Sequence, residues 1–204
     1  MMNKMRRVWL LAGGGAVATG LVVLLVSGQA GAPLNRAVRT AALLGYVCIF
    51  LGILSSAFLR QLIRFFGRPF VKLHHMITVT GLVLITLHPL GVAMQGLGLQ
   101  VLVPRTDSWQ SFFLYGGIPA WYLIAVASLA AALRAFVGKQ WRVIHFLNYI
   151  AFLLAMVHAF LIGTEFQYLW LRILSAIMVA VTIVVFVRKR TLKRKTKKNR
   201  SLAQ

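Results

Sequence analysis

The sequence predicts an all-α fold, an integral membrane bundle of six helices. Of its 204 residues, 60% are hydrophobic, and only Asp107 and Glu165 are acidic. Charged residues make up 12% of the chain, against roughly 25% in soluble globular domains. Long uncharged runs recur, and about 20 apolar residues are enough for one membrane-spanning helix. A soluble domain is excluded, because too little polar surface remains to cover so apolar a core.

Six apolar runs mark the predicted spans. They cover residues 8–27, 41–59, 73–104, 108–133, 143–164 and 166–187. A polar break around Gln29 and Asn35 follows the first span, and Arg60 ends the second. The third run is longer than one span, so we expect its end, residues 95–98, to form a loop or an interfacial segment. The fourth helix is expected to start near Pro119.

These runs divide the chain into three parts. Residues 1–30 are predicted to be a first transmembrane helix acting as a signal-anchor, 36–187 a transmembrane domain, and 188–204 a basic cytoplasmic tail. Basic residues, an apolar stretch and the small residues 30–32 are also the pattern of a cleavable signal peptide. The apolar stretch is about one full span long, which favours a retained helix, and cleavage stays open as the alternative.

The basic residues predict orientation in a membrane. The formal net charge is +21, but nine of the 23 lysines and arginines lie between residues 188 and 200. Nucleic-acid binding is not expected, since the site would have to be built from this short tail. Nineteen of the 23 fall on one side of the predicted spans. The positive-inside rule then predicts a multi-pass protein of the cell membrane with both termini in the cytoplasm and the tail on anionic lipid.

All five histidines lie in the third and fifth predicted spans. They are His74, His75 and His88 in the third span and His145 and His158 in the fifth. Imidazoles inside a bilayer are costly and are usually functional. His74 and His88 are 14 residues apart and His145 and His158 are 13 apart. At 1.5 Å per residue each separation is roughly 20 Å, too long for one metal ion but suited to two stacked sites.

Topology predicts how these histidines pair. Both spans run from the cytoplasm outward, so His74 faces His145 near the inner boundary and His88 faces His158 near the outer one. Facing imidazoles on bundle helices suit haem, with one ligand on each side of a flat ring. An α-helix turns by about 100° per residue, so 14 residues place His74 and His88 on one face of their helix. The 13 residues between His145 and His158 end about 140° short of four full turns, so these two histidines would lie on different faces. A tilt, a kink or a locally altered turn must correct this difference.

At this point the sequence resembles a known family. Residues 70–76 (Phe-Val-Lys-Leu-His-His-Met) and 87–90 (Leu-His-Pro-Leu) resemble the third span of the ferric reductase-like transmembrane domain family. Residues 138–145 (Gly-Lys-Gln-Trp-Arg-Val-Ile-His) and 156–158 (Met-Val-His) resemble its fifth span. The likeness covers roughly residues 44–187. Members include NADPH oxidases, ferric-chelate reductases and the bacterial haem-binding membrane subunit of periplasmic methionine sulfoxide reductase, and the chain is closest in size to the last.

The resemblance implies the ligands and the activity. By resemblance, His74 and His145 ligate the iron of an inner haem b, and His88 and His158 that of an outer one; FMN or a quinone is a further cofactor considered. Oxidases and metalloreductases continue into a flavin- and nicotinamide-binding domain, which this 204-residue chain is expected to lack. It would then be an electron-transfer component of an oxidoreductase. A flavin reductase or quinol would be its donor, and an extracytoplasmic reductase or ferric iron its acceptor.

Other polar residues have narrower expected roles. Candidate partners for haem propionates are Arg64, Arg68, Lys72 and Arg142 on the inner side and Arg36, Arg39, Arg105 and Arg172 on the outer side. Arg172 is the preferred one, because it lies a turn inside an apolar span, where an unpaired charge is costly. His75 points to a different face from His74 and is not expected to be a ligand. Both acids are expected outside the bundle, which disfavours a zinc site.

Gly81 and Phe152 lie midway between the paired histidines. A glycine there would let a bulky cofactor or a neighbouring helix approach. Phe152 would either pack between two haems or face lipid or core. A haem-free membrane channel or transporter is the alternative function.

Overall fold

We describe the protein from a computed structural model, which describes residue 26, residues 31–66 and the backbone of 70–202, with side chains to 189 and at 191. Every regular element in this part of the chain is helical, so the all-α prediction is confirmed there. The predicted first span, 8–27, the signal-anchor, 1–30, and Arg68 lie outside the described residues, residue 26 excepted.

Nine α-helices follow one another along the described ranges. They are α1 (Pro33–Ala57), α2 (Leu59–Phe66), α3 (Phe70–Val92), α4 (Trp109–Leu114), α5 (Gly117–Ala132), α6 (Arg134–Val137), α7 (Trp141–Ile144), α8 (Leu147–Ile162) and α9 (Leu169–Leu202). A π turn, Ala93–Leu97, extends α3 and ends at Gly98, whose φ of 66° favours glycine. The chain therefore leaves the helix within the predicted loop at 95–98.

Three of these helices are long and apolar enough to cross a membrane, namely Pro33–Ala57, Phe70–Leu97 and Leu169–Lys189. A fourth span results if Gly117–Ala132 and Arg134–Ile144, which meet at an angle of 81°, count as one broken span. Leu147–Ile162 is apolar but shorter. Five predicted spans thus each contain an apolar helix, whereas a six-helix bundle is not confirmed.

Helix α1 begins at Pro33, so Asn35, part of the predicted polar break, lies in the first turn of this helix. Proline suits the first turn of a helix, where its missing N–H has no intrahelical partner. Asn35 then donates from its amide to Oε1 of Gln95 at 3.0 Å, which joins the first turn of α1 to the π turn that follows α3. The helix therefore begins with its charged residues, Arg36 and Arg39, and its apolar part follows them.

Helices α1 and α3 pack closely in antiparallel directions. A Cβ added at Gly45 would lie 2.6 Å from Ile85, and one added at Gly81 would lie 2.8 Å from the Cβ of Cys48. Such small residues let the backbones of membrane helices approach each other. Gly81 therefore accommodates a neighbouring helix, which resolves the alternatives predicted for it.

Candidate functional site

The structure brings the four predicted ligands together in the expected pairs. His74 and His145 lie close enough to interact electrostatically, as do His88 and His158. In the part that the structure describes, no three histidine, cysteine or acidic side chains form a metal-binding cluster. The histidines thus form pairs, and a pair of imidazoles suits a planar group that supplies the remaining metal ligands itself.

The two outer histidines are each fixed by a backbone carbonyl. Nδ1 of His88 lies 3.2 Å from the carbonyl oxygen of Val38, and Nδ1 of His158 lies 2.7 Å from that of Leu114. A carbonyl oxygen only accepts, so Nδ1 is the protonated nitrogen in both rings. The lone pair is then on Nε2. Histidines that bind metals have this arrangement, in which the second ring nitrogen is held by an acceptor.

His145 has the same arrangement at the inner level. Its Nδ1 lies 3.2 Å from the carbonyl oxygen of Ala127 on α5. The side-chain amide of Asn148, one helical turn later, lies 3.3 Å from Nδ1 and 3.5 Å from Nε2. A proton on Nδ1 is compatible with both neighbours, because Nδ1 then donates to the carbonyl of Ala127 and Nε2 faces the amide donor of Asn148. Asn148 packs along the edge of the ring.

Ser55 fixes the tautomer of His74. Its hydroxyl oxygen lies 2.7 Å from Nδ1 of His74 and donates its one hydrogen to the carbonyl of Gly52 at 3.0 Å. With that hydrogen directed to the Gly52 carbonyl, the serine oxygen accepts from Nδ1. Nε2 of His74 therefore also holds a lone pair. All four paired histidines share one tautomer.

A locally altered turn precedes α8. His145 has ψ −18° and Phe146 ψ −19°, values typical of a 3₁₀ turn. The N–H groups of Phe146, Asn148 and Tyr149 donate to carbonyls three residues back, at 3.1, 3.3 and 3.1 Å. The last α-type bond before this segment runs from the N–H of His145 to the carbonyl of Trp141 at 2.8 Å. The chain is thus wound more tightly between His145 and Tyr149.

This turn corrects the difference in phase between His145 and His158. A 3₁₀ turn advances about 120° per residue and an α-helix about 100°. With about four of the 13 steps tightened, His158 ends about 60° short of four turns from His145, close to the 40° or so between His74 and His88. Of the three corrections considered from the sequence, the altered turn is the one that the backbone contains.

A cavity of about 420 Å³ lies between the outer histidines, and His88 and His158 both line it. Tyr46 and Phe152 form part of its wall, with their rings stacked at 4.5 Å between centroids and 10° between planes. Phe152 is 1% exposed. It is therefore a core residue on the cavity wall and does not face lipid. The cavity has the volume and the mostly apolar wall of a cofactor site.

Trp121 and Arg105 also line the cavity. The indole N–H of Trp121 donates to Oγ1 of Thr86 at 2.9 Å, which ties α5 to α3. Arg105 also lines the cavity, and its guanidinium carbon lies 4.5 Å from the ring centroid of Tyr115. The cavity thus combines two imidazoles, aromatic walls and a cation.

Arg172, the preferred propionate partner, has protein partners instead of a place on the cavity wall. Its Nε donates to the carbonyl of Phe166, and its guanidinium carbon lies 5.6 Å from the ring centroid of Phe160. Its role toward a cofactor stays a prediction. His75 is exposed, and its ring centroid lies 5.7 Å from that of His74 at an angle of 54°. The ring of His75 thus lies beside that of His74 on the exposed surface of α3.

The expectation that both acids lie outside the bundle is wrong for Glu165. This residue is 5% exposed and forms an ion pair with Arg39 of α1. Charged side chains in an apolar interior need a partner, and Arg39 supplies one. Sequence analysis missed this pairing, because 126 residues separate the partners. The one available signal was that a lone acid beside a predicted span calls for a nearby cation.

No protein-family model, curated protein or solved structure matches this chain. The resemblance of the two histidine-bearing segments to ferric reductase-like domains therefore stays a prediction.

Proposed function

We propose that this protein is a membrane b-type cytochrome that transfers electrons across the membrane, from a donor on the cytoplasmic side to an acceptor outside. The observation that carries the proposal is the shared tautomer of the four paired histidines. Each has an acceptor at Nδ1 and a lone pair at Nε2. A histidine serving only as a structural hydrogen-bonding group would not need this arrangement at two facing pairs.

The residues present fit two haem groups. The Nε2 atoms of His74 and His145 would hold the inner group, and those of His88 and His158 the outer one. Each haem iron, when bound, supplies one-electron chemistry. The carbonyls of Val38 and Leu114 orient the outer imidazoles, and Ser55 and Ala127 orient the inner ones.

The side chains that line the outer cavity affect the reduction potential of the outer group. Tyr46, Phe152 and Trp121 line the outer cavity and exclude water from it. A dry, low-dielectric wall raises the cost of charge on the iron and so adjusts its reduction potential. Phe152 is almost fully buried in the core, and the ring of Tyr46 packs against it.

The proposal includes a six-helix bundle in the cell membrane with both termini in the cytoplasm, in contact with lipid. A flavin reductase or a quinol supplies the electrons, and an extracytoplasmic reductase or ferric iron receives them. The positive-inside distribution of lysine and arginine supports this direction. The chain would then be the haem-carrying component of an oxidoreductase, with FMN or a quinone as a possible additional redox group.

The test is the haem content of the purified protein. We expect two haems b per chain by pyridine haemochrome assay and a low-spin spectrum with paired histidine ligands. The double variant His88→Ala/His158→Ala is expected to retain only one. A value near one in fully loaded protein would limit the function to a single-haem subunit. Protein that folds, binds no haem from supplemented membranes and shows no reduced-minus-oxidised haem b spectrum would favour the channel or transporter instead.

A further inference from the structure

The buried ion pair between Arg39 and Glu165 lies at the outer end of the molecule, next to the outer cavity. Nε of Arg39 donates to Oε1 of Glu165, and the two side chains are 15% and 6% exposed. Glu165 is also close enough to His88 to interact with it electrostatically. Its neighbour Phe166 lines the cavity. The pair is therefore part of the surroundings of the outer histidines.

This ion pair uses only one edge nitrogen of the guanidinium. Arginine and a carboxylate often form two parallel hydrogen bonds. Here the hydroxyl of Thr164 donates to Oε2 of Glu165 at 3.1 Å, so the second carboxylate oxygen has another partner. Among the described residues, Nη2 of Arg39 is buried and has no hydrogen-bond partner. A buried charged donor of this kind calls for an acceptor.

The position of Arg39 on α1 indicates where that acceptor lies. Leu43 and Tyr46 follow it by four and seven residues, so all three share one helix face. Leu43 and Tyr46 both line the outer cavity. Arg39 thus continues the cavity wall outward by one turn. Arg105 lies on the wall of the same cavity.

We propose that the outer cavity binds a ligand through carboxylate groups, and that Nη2 of Arg39 and the guanidinium of Arg105 are their partners. This inference rests on the proposed function and specifies it, since the carboxylates would be the propionates of the outer haem. Glu165 is a positioning residue that holds Arg39 through Nε and leaves Nη2 directed to the ligand. Arg172, the arginine that the sequence favours for this role, already donates to Phe166.

The experiment compares iron protoporphyrin IX with its dimethyl ester, which lacks the free carboxylates. Haem-depleted full-length protein in a His74→Ala background, which leaves only the outer site, is titrated with each compound and followed by Soret absorbance. We expect the unsubstituted arginines to give a preference for the acid of about tenfold or more. Arg39→Met and Arg105→Met should each remove most of that preference while changing the affinity for the ester less than about twofold.

Three further variants keep the result interpretable. Arg60→Met is the matched control, because Arg60 is an exposed arginine of α2 at the opposite end of α1, and its preference should equal that of the background. If Arg39→Met does not fold because Glu165 is left buried without a counter-charge, Arg39→Met/Glu165→Gln removes both charges and is used in its place. Arg39→Lys should restore part of the preference, because it keeps the charge but not the second donor.

Failure of this inference differs from failure of the proposed function. Equal affinity for acid and ester before substitution, or equal losses for both compounds in the arginine variants, would overturn the carboxylate assignment alone. Absence of a low-spin Soret band with either compound, in the background and in the unmodified chain, would overturn the haem proposal itself.

Discussion

The imidazole of His158 lies directly against Gly117, where an added Cβ would stand 2.8 Å from both Cδ2 and Nε2 of the ring. On the other side, Nδ1 of the same ring lies 2.7 Å from the carbonyl oxygen of Leu114. The ring is thus held between the backbone of α5 and the carbonyl that precedes it. A real Cβ is essentially never found this close, so glycine is required at 117 for this ring position.

Gly117→Ala should therefore weaken or abolish the outer haem. The methyl group would displace the His158 ring from this position and disturb the hydrogen bond between its Nδ1 and the Leu114 carbonyl. Haem content and the low-spin EPR signal report the loss. The inner haem is the internal control, because its ligands do not contact Gly117. Loss of both haems would indicate a general folding defect, and full retention of both would contradict the packing described.

Ser55→Ala should affect the inner haem. It removes the acceptor at Nδ1 of His74, which lies 2.7 Å from the serine oxygen. Loss of such an acceptor weakens metal binding by about 10- to 100-fold. A less electron-rich imidazole should also raise the midpoint potential of the inner haem, measured by redox titration.

Ser56→Ala is the matched control for Ser55→Ala. Its hydroxyl donates to the carbonyl of Ile53 at 2.8 Å and accepts from Lys189 at 3.1 Å. It has no hydrogen bond to His74 among those described. A potential shift as large in Ser56→Ala as in Ser55→Ala would show that the effect is general to this turn of α1.

His74→Ala and His75→Ala separate two adjacent histidines. We expect His74→Ala to lose the inner haem and keep the outer one, because Nε2 of His74 holds a lone pair and the ring faces His145. His75→Ala should keep both haems, since its ring points to an exposed face. Haem-to-protein ratio and Soret intensity give the answer. The opposite pattern would mean that the register assigned to α3 is wrong by one residue.

The direction of transfer is tested in oriented vesicles. The distribution of basic residues predicts that His74 and His145 lie near the cytoplasm, so a membrane-impermeant donor should reduce the protein from that side. Reduction is followed by the α-band of haem b. If the same donor added only to the outer side reduces the protein equally fast, the assigned orientation is incorrect.

Histidine pairing could be predicted from the sequence, because helix direction and residue spacing decide which imidazoles share a depth. Their tautomers could not. The carbonyls of Val38, Ala127 and Leu114 come from other helices, 18 to 50 residues away. Backbone acceptors leave no signature in side-chain composition. They become visible only when the packing of α1 on α3 and of α5 on α8 is known.

The burial of Glu165 could not be predicted from the sequence either. A single acid after an apolar run has the sequence appearance of a surface loop residue, and only the folded chain places it beside Arg39. By contrast, the role of Gly81 could be predicted in part, because a small residue indicates that another group approaches closely but not which group it is.

The tightened turn at His145 also sets the height of the two sites. A 3₁₀ turn rises about 2.0 Å per residue and an α-helix about 1.5 Å. Fourteen α-helical steps from His74 to His88 rise about 21 Å, and 13 steps from His145 to His158 with about four tightened rise about 21.5 Å. The two helices thus present their imidazoles at matching levels although their spacings differ. One residue inserted after Tyr149 would add about 1.5 Å and 100° to this stretch and turn the imidazole of His158 away from His88.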